Sequence, residues 1–433
     1  MKNKFLGKPW SWVPSLYFTE GLPYITVMSL AVIMFKRFGM SNTNIAFYTS
    51  WLYLPWAIKF LWSPFVDIIK TKRWWIITTQ ILIGAGMSGV ALALPTPHWF
   101  QLSMAFLWIL AFSSATHDIA ADGYYMIELD DKEQAFFVGI RNTFYRLAMI
   151  TGQGFLVILA GHLEKITPPG FLGNIKKIPF AWSMTFLLIG VFFFIISFYH
   201  SKALEKVEKT NNKNSNTQLN NKEKIKNIFS EFGITFSTFF SKKHAFIAIL
   251  FLLFYRVAES QLVKLSSPFL LDKEAAGGMG LDTSTVGTIY GVTGVLALII
   301  GGILGGIIVS RYGLKKWILP MALFLNIPNL VYLYFAYALP SNLIIINFGI
   351  AIEQFGYGFG FTAYTLYMIH FAKGVHKTAH FAFCTAIMAL GMMIPGMVSG
   401  FIQETMGYQH FFIYVMGTTL LSFFVSILAR KTL

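Results

Sequence analysis

FSSATHDIAADGYYMIEL, residues 112–129, places two aspartates inside an apolar segment long enough to cross a membrane. Asp118 and Asp122 are four residues apart, so a helix carries both on one face. An ionised carboxylate at the centre of a bilayer costs at least about 2.5 kcal/mol. The two acids therefore have to face protein or a water-filled cavity. The segment predicts a membrane protein with a polar interior, and not a simple anchor.

The composition of the whole chain agrees with this prediction. Of 433 residues, 55% are hydrophobic and 12% are charged, whereas soluble proteins contain about 25% charged residues. The net charge of +15 is spread over short loops between apolar runs, which favours a membrane-protein loop bias over a nucleic-acid surface. The single cysteine, Cys384, excludes an internal disulfide and a cysteine-rich metal site. We expect no metal, no cofactor and no nucleic-acid partner.

Apolar runs predict about twelve transmembrane helices. We place them near 12–35, 43–66, 74–95, 98–127, 134–162, 179–200, 245–270, 284–309, 315–339, 341–370, 378–402 and 408–429. Between the sixth and seventh lies the one long polar stretch, 201–243, which predicts a linker and a surface helix after it. We therefore expect an all-α protein with six-helix halves at 1–200 and 244–433.

Basic residues are concentrated in the loops on one side of these helices. That side carries both termini, the linker and loops such as those with Lys72 and Arg73 or with Arg311 and Lys315. Because basic loops remain in the cytoplasm, we expect both termini to be cytoplasmic. The protein is expected to be a multi-pass protein of the cell (inner) membrane.

Two similar loops support the division into halves. SPFVDIIKTKRW (63–74) and GGIIVSRYGLKKW (305–317) each follow the second helix of a half and combine a basic hinge with Trp. This pattern resembles the loop motif of the major facilitator superfamily, and the resemblance implies the major facilitator fold. The gate or loop-motif residues are then Lys59, Asp67, Arg73 and Arg311. We expect Lys59 to snorkel or to pair with Asp67 at a cytoplasmic gate.

Six longer segments indicate which branch of the superfamily the chain resembles. They are EGLPYITVMSLAVIMF (20–35), KFLWSPFVD (59–67), FSSATHDIAADGYYMIEL (112–129), FYRLAMITGQG (144–154), LLFYRVAESQLVKLSSPFLL (252–271) and AIEQFGYGFGFTAYTLYM (351–368). Together they are similar to the bacterial AmpG muropeptide permeases and the eukaryotic acetyl-CoA transporters. For the bacterial members the resemblance implies proton-coupled import of anhydro-muropeptides. The family usually has Gln at His117 and an uncharged residue at Glu20, so the substrate stays open.

Intramembrane charges fall mainly on the first, fourth, seventh and tenth helices, which line the central cavity in the family that the chain resembles. Charges facing lipid would be costly. The proton-coupling candidates are Asp118, Asp122, Glu259 and Glu353. The substrate-binding candidates are Glu20, His117, Arg146, Arg256, Lys264 and Gln354.

The aspartates have a structural alternative to proton coupling. Two acids this close in a low dielectric favour retention of a proton by one of them, but both also have the option of pairing with Arg141 or Arg146. The guanidinium of Arg146 is suited to bind either an aspartate or a substrate carboxylate. Coupling and pairing are compatible, because a salt bridge that breaks during transport serves both.

The remaining candidates have similar alternatives. Arg256 and Glu259 are three residues apart, which allows an intrahelical pair. Lys264 extends this stripe outward, where it would meet an anionic substrate. Glu353 has no local basic partner, and His117 is either a titrating group or a satisfied hydrogen-bonding one.

A secondary transporter that works by alternating access accounts best for these features. The repeated halves and scattered charges favour it over a channel. His117 and Asp122 have the spacing of some lipid acyltransferases, a remote alternative without a substrate motif, so we expect no enzyme. Acids are at least as frequent as bases among the candidates, which favours a peptide or sugar solute over acetyl-CoA or another anionic metabolite. The expected partners are a small-molecule substrate, protons and the lipid bilayer, with the protein as a monomer.

Overall fold

The computed structural model describes residues 8–170, 175–205, 233–374 and 376–433. This part of the chain is almost entirely helical, and no β-strand occurs in it. Apolar residues in long helical runs satisfy their backbone hydrogen bonds within each segment, as a bilayer requires. The predicted all-α class is confirmed.

The first six helices occupy the N-terminal part of the chain. They are α1 Pro9–Arg37, α2 in the pieces Asn42–Trp51, Leu54–Ile58 and Ser63–Ile68, α3 Lys72–Ala93, α4 Trp99–Glu128, α5 Lys132–Leu163 and α6 Lys177–Ala203. Pro55 and Pro64 stand at the beginning of the second and third pieces of α2. Because proline lacks a backbone donor, it interrupts the preceding helix and begins a new one.

The last six helices occupy the C-terminal part of the chain. They are α7 Ala245–Leu271, α8 Thr283–Tyr312, α9 Leu314–Ala338, α10 Leu343–Ala372 and a stretch, Lys377–Arg430, that contains both α11 and α12. Gly407 divides this stretch, since its φ of 74° and ψ of 167° are not helical. Such a conformation is accessible to glycine and strained for other residues. We number α11 as 377–406 and α12 as 408–430.

Ten helices in the described residues are by themselves long and apolar enough to cross a membrane. The interrupted α2 is a further span that is not among these ten. The stretch divided at Gly407 is one of the ten and contains two spans. The order therefore matches the prediction of about twelve spans. In this order α1 begins and α12 ends on one side, the terminal face. The α1–α2, α5–α6, α7–α8 and α11–α12 loops lie on the other side, the distal face.

Most of the predicted linker, 206–232, lies outside the described residues. The described end of it, 233–240, is helical and leads into α7. Phe239 is fully buried there, with its ring centroid 5.4 Å from that of Phe371 and 5.5 Å from that of Phe383. The helix that follows the linker is therefore packed against α10 and α11 and is not a free surface helix. The division into halves at 1–200 and 244–433 stays a prediction.

Three π-helical turns meet where the two sets of six helices cross. They are Thr26–Leu30 in α1, Thr151–Leu156 in α5 and Ile289–Gly294 in α8. A Cβ on Gly291 would lie 1.9 Å from the Cα of Gly154, so α5 and α8 are in direct backbone contact. Small residues permit such a close crossing.

Polar side chains connect the two sets of helices on the distal face. Lys36 Nζ lies 2.7 Å from Asp272 Oδ1, and Asn42 Nδ2 donates to Gln403 Oε1 at 2.7 Å and to Tyr408 Oη at 2.8 Å. Two further contacts of this kind join Thr43 to Glu404 and Lys165 to Asp282. These contacts close the distal face above the interior described next.

Candidate functional site

A cavity of about 380 Å³ lies between the first six and the last six helices. Its polar lining residues are Ser29, Lys59, Asp118, Gln153, Arg256, Glu259, Ser266, Ser267, Glu353, Gln354 and Thr385, and its aromatic ones are Tyr24, Tyr53, Trp56, Tyr145, Tyr290, Tyr332, Tyr357 and Phe361. Rings with a few convergent charges are typical of a binding site for an organic solute. Among the described residues, no group of three or more His, Cys, Asp and Glu side chains is arranged to hold a metal ion.

The cavity brings together six of the predicted site residues. These are Lys59, Asp118, Arg256, Glu259, Glu353 and Gln354. Five other candidates lie outside the lining described for it, namely Glu20, His117, Asp122, Arg146 and Lys264. Helix pitch alone predicts which residues share a face, but which face turns to the cavity depends on the packing of all the helices.

The two aspartates of α4 have separate basic partners. Lys59 Nζ of α2 lies 3.2 Å from Asp118 Oδ2, and Arg141 Nη2 of α5 lies 2.9 Å from Asp122 Oδ1. Pairing with Arg141 was the structural alternative to proton coupling, and Asp122 forms this pair in the structure. Lys59 was expected to snorkel or to pair with Asp67, and its ammonium group reaches across to α4. The side chain of Asp67 lies outside the described residues.

Arg146 does not pair with either aspartate. Within the described part of the chain it has no ion pair, although the hydroxyls of Tyr145 and Tyr357 are in its electrostatic surroundings. The guanidinium is half-buried and points toward the glycines of α8, about 4.0 Å from the position of a Cβ on Gly302. The predicted pairing with an aspartate is therefore not found for Arg146 in the described residues.

His117 belongs to a buried polar cluster inside the first six helices. Its Nε2 lies 3.0 Å from Nε2 of Gln80, and the same amide lies 2.9 Å from Nδ1 of His200. His200 Nε2 lies 2.9 Å from the hydroxyl of Ser15. The cluster joins α1, α3, α4 and α6, a position that argues against the predicted substrate contact. Gln80 and His200 were not among the predicted site residues. The only indication of them in the sequence is that they are polar residues within apolar helices.

The intrahelical pair that the spacing of Arg256 and Glu259 allows does not form. Arg256 Nη2 instead donates to Tyr357 Oη at 2.7 Å, and its guanidinium lies over the rings of Tyr357 and Phe361 at 5.1 and 4.9 Å. Glu259 is 0% exposed, and neither carboxylate oxygen has a hydrogen-bond partner in the described residues. The guanidinium thus packs on Tyr357 and Phe361, the aromatic wall of the cavity, while Glu259 stays within its electrostatic surroundings.

The second buried acid that lines the cavity, after Glu259, is Glu353 of α10. It is buried and accepts a hydrogen bond from its neighbour, Gln354 Nε2, at 2.9 Å. Glu259 is in its electrostatic surroundings. Two buried carboxylates near one another cannot both ionise at low cost, because each would remain charged in a low dielectric.

Lys264 lies beyond the cavity, toward the distal face. It is buried, and its Nζ donates to Thr49 Oγ1 of α2 at 3.0 Å and lies 4.9 Å from the centroid of the Tyr53 ring. The ammonium group thus joins α7 to α2 while the distal face is closed.

The loop-motif residues differ in their surroundings. Arg73 Nε donates to the carbonyl of Leu204 at 3.1 Å, and its Nη2 donates to that of Ser201. The arginine thereby ties the beginning of α3 to the end of α6. Arg311 is exposed at the end of α8. In the second copy, the rings of Tyr312 and Trp317 are in contact, with their centroids 6.3 Å apart.

Comparisons with known proteins agree with this architecture. The model of the family described as Major Facilitator Superfamily matches residues 15–379. A Rickettsia felis protein named putative transporter AmpG 4 is 24% identical over 95% of this chain and 94% of its own. The anhydromuropeptide permease of Escherichia coli K12 is 23% identical over 96% of this chain and 79% of its own.

The fold has close counterparts among solved structures. A bacterial homologue of the human lysosomal transporter Spinster, in an inward-facing and occupied conformation, has a TM-score of 0.69, with 98% of both chains covered and 16% identity. At this identity the similarity concerns the fold alone. The predicted major facilitator fold is confirmed, as is the resemblance to AmpG proteins.

Proposed function

Because the chain belongs to the Major Facilitator Superfamily, and is therefore a multi-pass membrane transporter of small molecules, we propose that it imports anhydro-muropeptides or related peptide–sugar solutes together with protons. The observation that carries this proposal is the cavity itself. It combines an aromatic wall with Glu259, a buried acid that has no hydrogen-bond partner in the described residues.

The chemistry of the cavity suits a solute that has a sugar, a peptide and a carboxylate. Tyr and Trp rings offer faces on which sugar rings pack, and the Tyr hydroxyl and the Trp N–H form hydrogen bonds. Arg256 offers a planar guanidinium for a carboxylate, and Gln354 offers both a donor and an acceptor. The relatives named as AmpG proteins or as an anhydromuropeptide permease support this solute class.

Acetyl-CoA or another strongly anionic metabolite fits the cavity less well. The cations in its described lining are Lys59 and Arg256, and Lys59 is already paired with Asp118. Phosphate groups favour several unpaired cations in the site. Arg146 would supply one more at the edge of the cavity, but the acids Glu259 and Glu353 would repel them.

Proton coupling is proposed for the acids that line the cavity. A proton on Glu259 or Glu353 would remove the cost of a buried charge, and its loss to the cytoplasm would make the site polar again. Asp118 lies on the opposite wall of the cavity, in an ion pair with Lys59. Protonation of Asp118 would weaken this pair. Asp122, paired with Arg141, is the least direct of the four predicted acids.

The proposed transport cycle is a rocking motion of the two sets of helices around the cavity. In the described state the distal face is closed by side-chain contacts. We place the terminal face in the cytoplasm and the distal face in the periplasm, because the basic loops lie on the terminal side. We also propose that the unit of transport is the monomer in the inner membrane.

Uptake of labelled anhydro-muropeptide into proteoliposomes, with and without an inward proton gradient, tests the proposal. We expect accumulation only with the gradient, and a Glu259→Gln variant that exchanges solute but does not concentrate it. Glu274→Gln is the matched control, because Glu274 is exposed in the α7–α8 loop. Uptake of acetyl-CoA in place of muropeptide would overturn the solute assignment, and gradient-independent accumulation would overturn the coupling.

A further inference from the structure

An acid that sequence reasoning assigned to the substrate lies elsewhere, among the charges of the first six helices. Glu20 of α1 is 8% exposed and lies outside the described lining of the cavity. Its electrostatic neighbours are Asp118 and Asp122 of α4, Arg141 of α5 and Lys59 of α2. One turn earlier on α1, Tyr17 Oη donates to Asp122 Oδ1 at 3.1 Å. Glu20 therefore stands in a cluster that reaches from the cavity toward the solvent.

The charges of this cluster do not balance. Lys59 lies 3.2 Å from Asp118, and Arg141 lies 2.9 Å from Asp122, so each base already has an acid. Glu20 has no ion pair among the described residues, and its Oε2 is buried without a hydrogen-bond partner there. A fully ionised cluster would leave one uncompensated negative charge inside the membrane, which is costly.

We propose that Glu20 carries an exchangeable proton and passes it between Asp118, at the cavity, and Asp122, whose side chain is 42% exposed. This inference rests on the proposed proton coupling and names a carrier for it. Glu20 first gives its proton to Asp122, so an O–H bond breaks at Glu20 and forms at Asp122, and Asp122 releases the proton to water. A proton that binds the Asp118 carboxylate from the cavity is then transferred to Glu20, and each carboxylate recovers its initial state.

The surroundings of Glu20 favour transfer over a fixed role. The ionisable groups that face it are the carboxylates of Asp118 and Asp122, the cations Lys59 and Arg141, and the hydroxyls of Tyr17 and Tyr145. Beside it, a Cβ on Gly21 would lie 2.9 Å from the carbonyl oxygen of Tyr145. The backbone of α1 is therefore held against α5, and the acid has little freedom to move away from its neighbours.

The test compares Glu20→Gln, which keeps the size of the protonated acid, with Glu20→Asp and with the exposed control Glu274→Gln. Each is reconstituted in proteoliposomes. Exchange of labelled solute and accumulation under a proton gradient of one pH unit are measured separately. Such a gradient supports at most about tenfold accumulation per proton. Infrared difference spectra of the purified protein after a pH jump record the C=O stretch of a protonated carboxylic acid without any solute.

We expect Glu20→Gln to exchange solute at a rate within about twofold of the unsubstituted protein, to lose accumulation above the external concentration, and to lose one carboxylic-acid band. Glu20→Asp should keep coupling with a shifted pH profile, and Glu274→Gln should change nothing. Three results for Glu20→Gln would overturn the inference. They are a carboxylic-acid band that is still present, accumulation that is unaltered, and loss of solute exchange although the variant is folded. If the unsubstituted protein keeps the band but does not accumulate solute with the gradient, the proposed function fails and the protonation of Glu20 stands.

Discussion

Lys36 at the end of α1 and Asp272 at the end of α7 form an ion pair across the distal face, with Nζ 2.7 Å from Oδ1. Both take part in further contacts, because Lys36 donates to Asn42 Oδ1 at 2.8 Å and Asp272 Oδ2 accepts from Tyr408 Oη at 2.7 Å. Asn42 donates in turn to Tyr408. The four residues form a closed ring that joins α1 and α2 to α7 and α12.

Breaking this ring should favour the state that is open on the distal face. In Asp272→Asn the ion pair is lost but a hydrogen bond to Tyr408 remains possible. A partly exposed pair is worth about 1 kcal/mol, so the equilibrium should shift about fivefold. Alkylation of a Ser267→Cys side chain in the cavity by a membrane-impermeant reagent added on the distal side measures the opening. The natural Cys384 is buried and gives little background.

A charge reversal provides the control for this prediction. Lys36→Asp combined with Asp272→Lys should restore much of the closed state, whereas either reversal alone should increase labelling. If Asp272→Asn is labelled no faster than the unsubstituted protein, the pair does not hold the distal face closed.

Substitutions of Lys59 and Asp118 distinguish a role in proton coupling from a purely structural role. Asp118→Asn should abolish gradient-driven accumulation, because the side chain no longer ionises, and it leaves Lys59 without a partner. The double variant Lys59→Met/Asp118→Asn removes both charges and relieves that cost. We expect its thermal stability to recover while its accumulation stays absent. Full recovery of accumulation would show that the pair serves only to join α2 and α4.

The crossing of α5 and α8 should not tolerate a methyl group. In Gly291→Ala the new Cβ would overlap the Cα of Gly154, so the helices must separate. Such overpacking costs about 1–3 kcal/mol. Gly306→Ala on the same helix is the matched control, since no atom lies within 4 Å of its Cβ position. Thermal unfolding in detergent should show a lower midpoint for Gly291→Ala only, and equal midpoints would contradict the close crossing.

The pH dependence of transport should not arise from the distal loop. Burial alone would raise the pKa of Asp282, but hydrogen bonds from Thr285, Lys165 and Ser284 hold the pKa of this carboxyl well below its usual range. A depressed pKa in the folded state adds stability that is present above the unfolded value, about 3.9, and is lost only as the pH falls toward the folded value. Asp282 and its contact with Lys165 should therefore stay intact throughout mildly acidic conditions.

Initial uptake rates between about pH 5 and pH 8 check this expectation, since that range lies above the ordinary carboxyl pKa. Asp282→Asn keeps a side-chain oxygen for the helix cap and should leave the shape of the profile unchanged. A profile that flattens in Asp282→Asn would place a titrating step at the distal loop, against the expectation.

The structure also shows where sequence reasoning had usable information that it did not apply. Lys36 and Asp272 follow the first helix of each set of six, so they occupy corresponding loops. Only the second loop of each half was compared, because its basic hinge is a stronger pattern. A comparison of the first loops would have found opposite charges in equivalent places, which is a signal for a contact across the two halves.

The sequence by itself determined the helices, their order and the loops that stay on one side, because helix formation in a membrane depends on local apolar length and on flanking charge. It did not show that α2 is interrupted at Pro55 and Pro64, which the apolar run conceals. The tertiary structure alone decided the partners of the buried polar groups. Lys59 contacts Asp118, Arg256 contacts Tyr357, and Oε2 of Glu20 is left without a hydrogen-bond partner in the described residues. These partners come from different helices, so they depend on packing angles and register that no local pattern records.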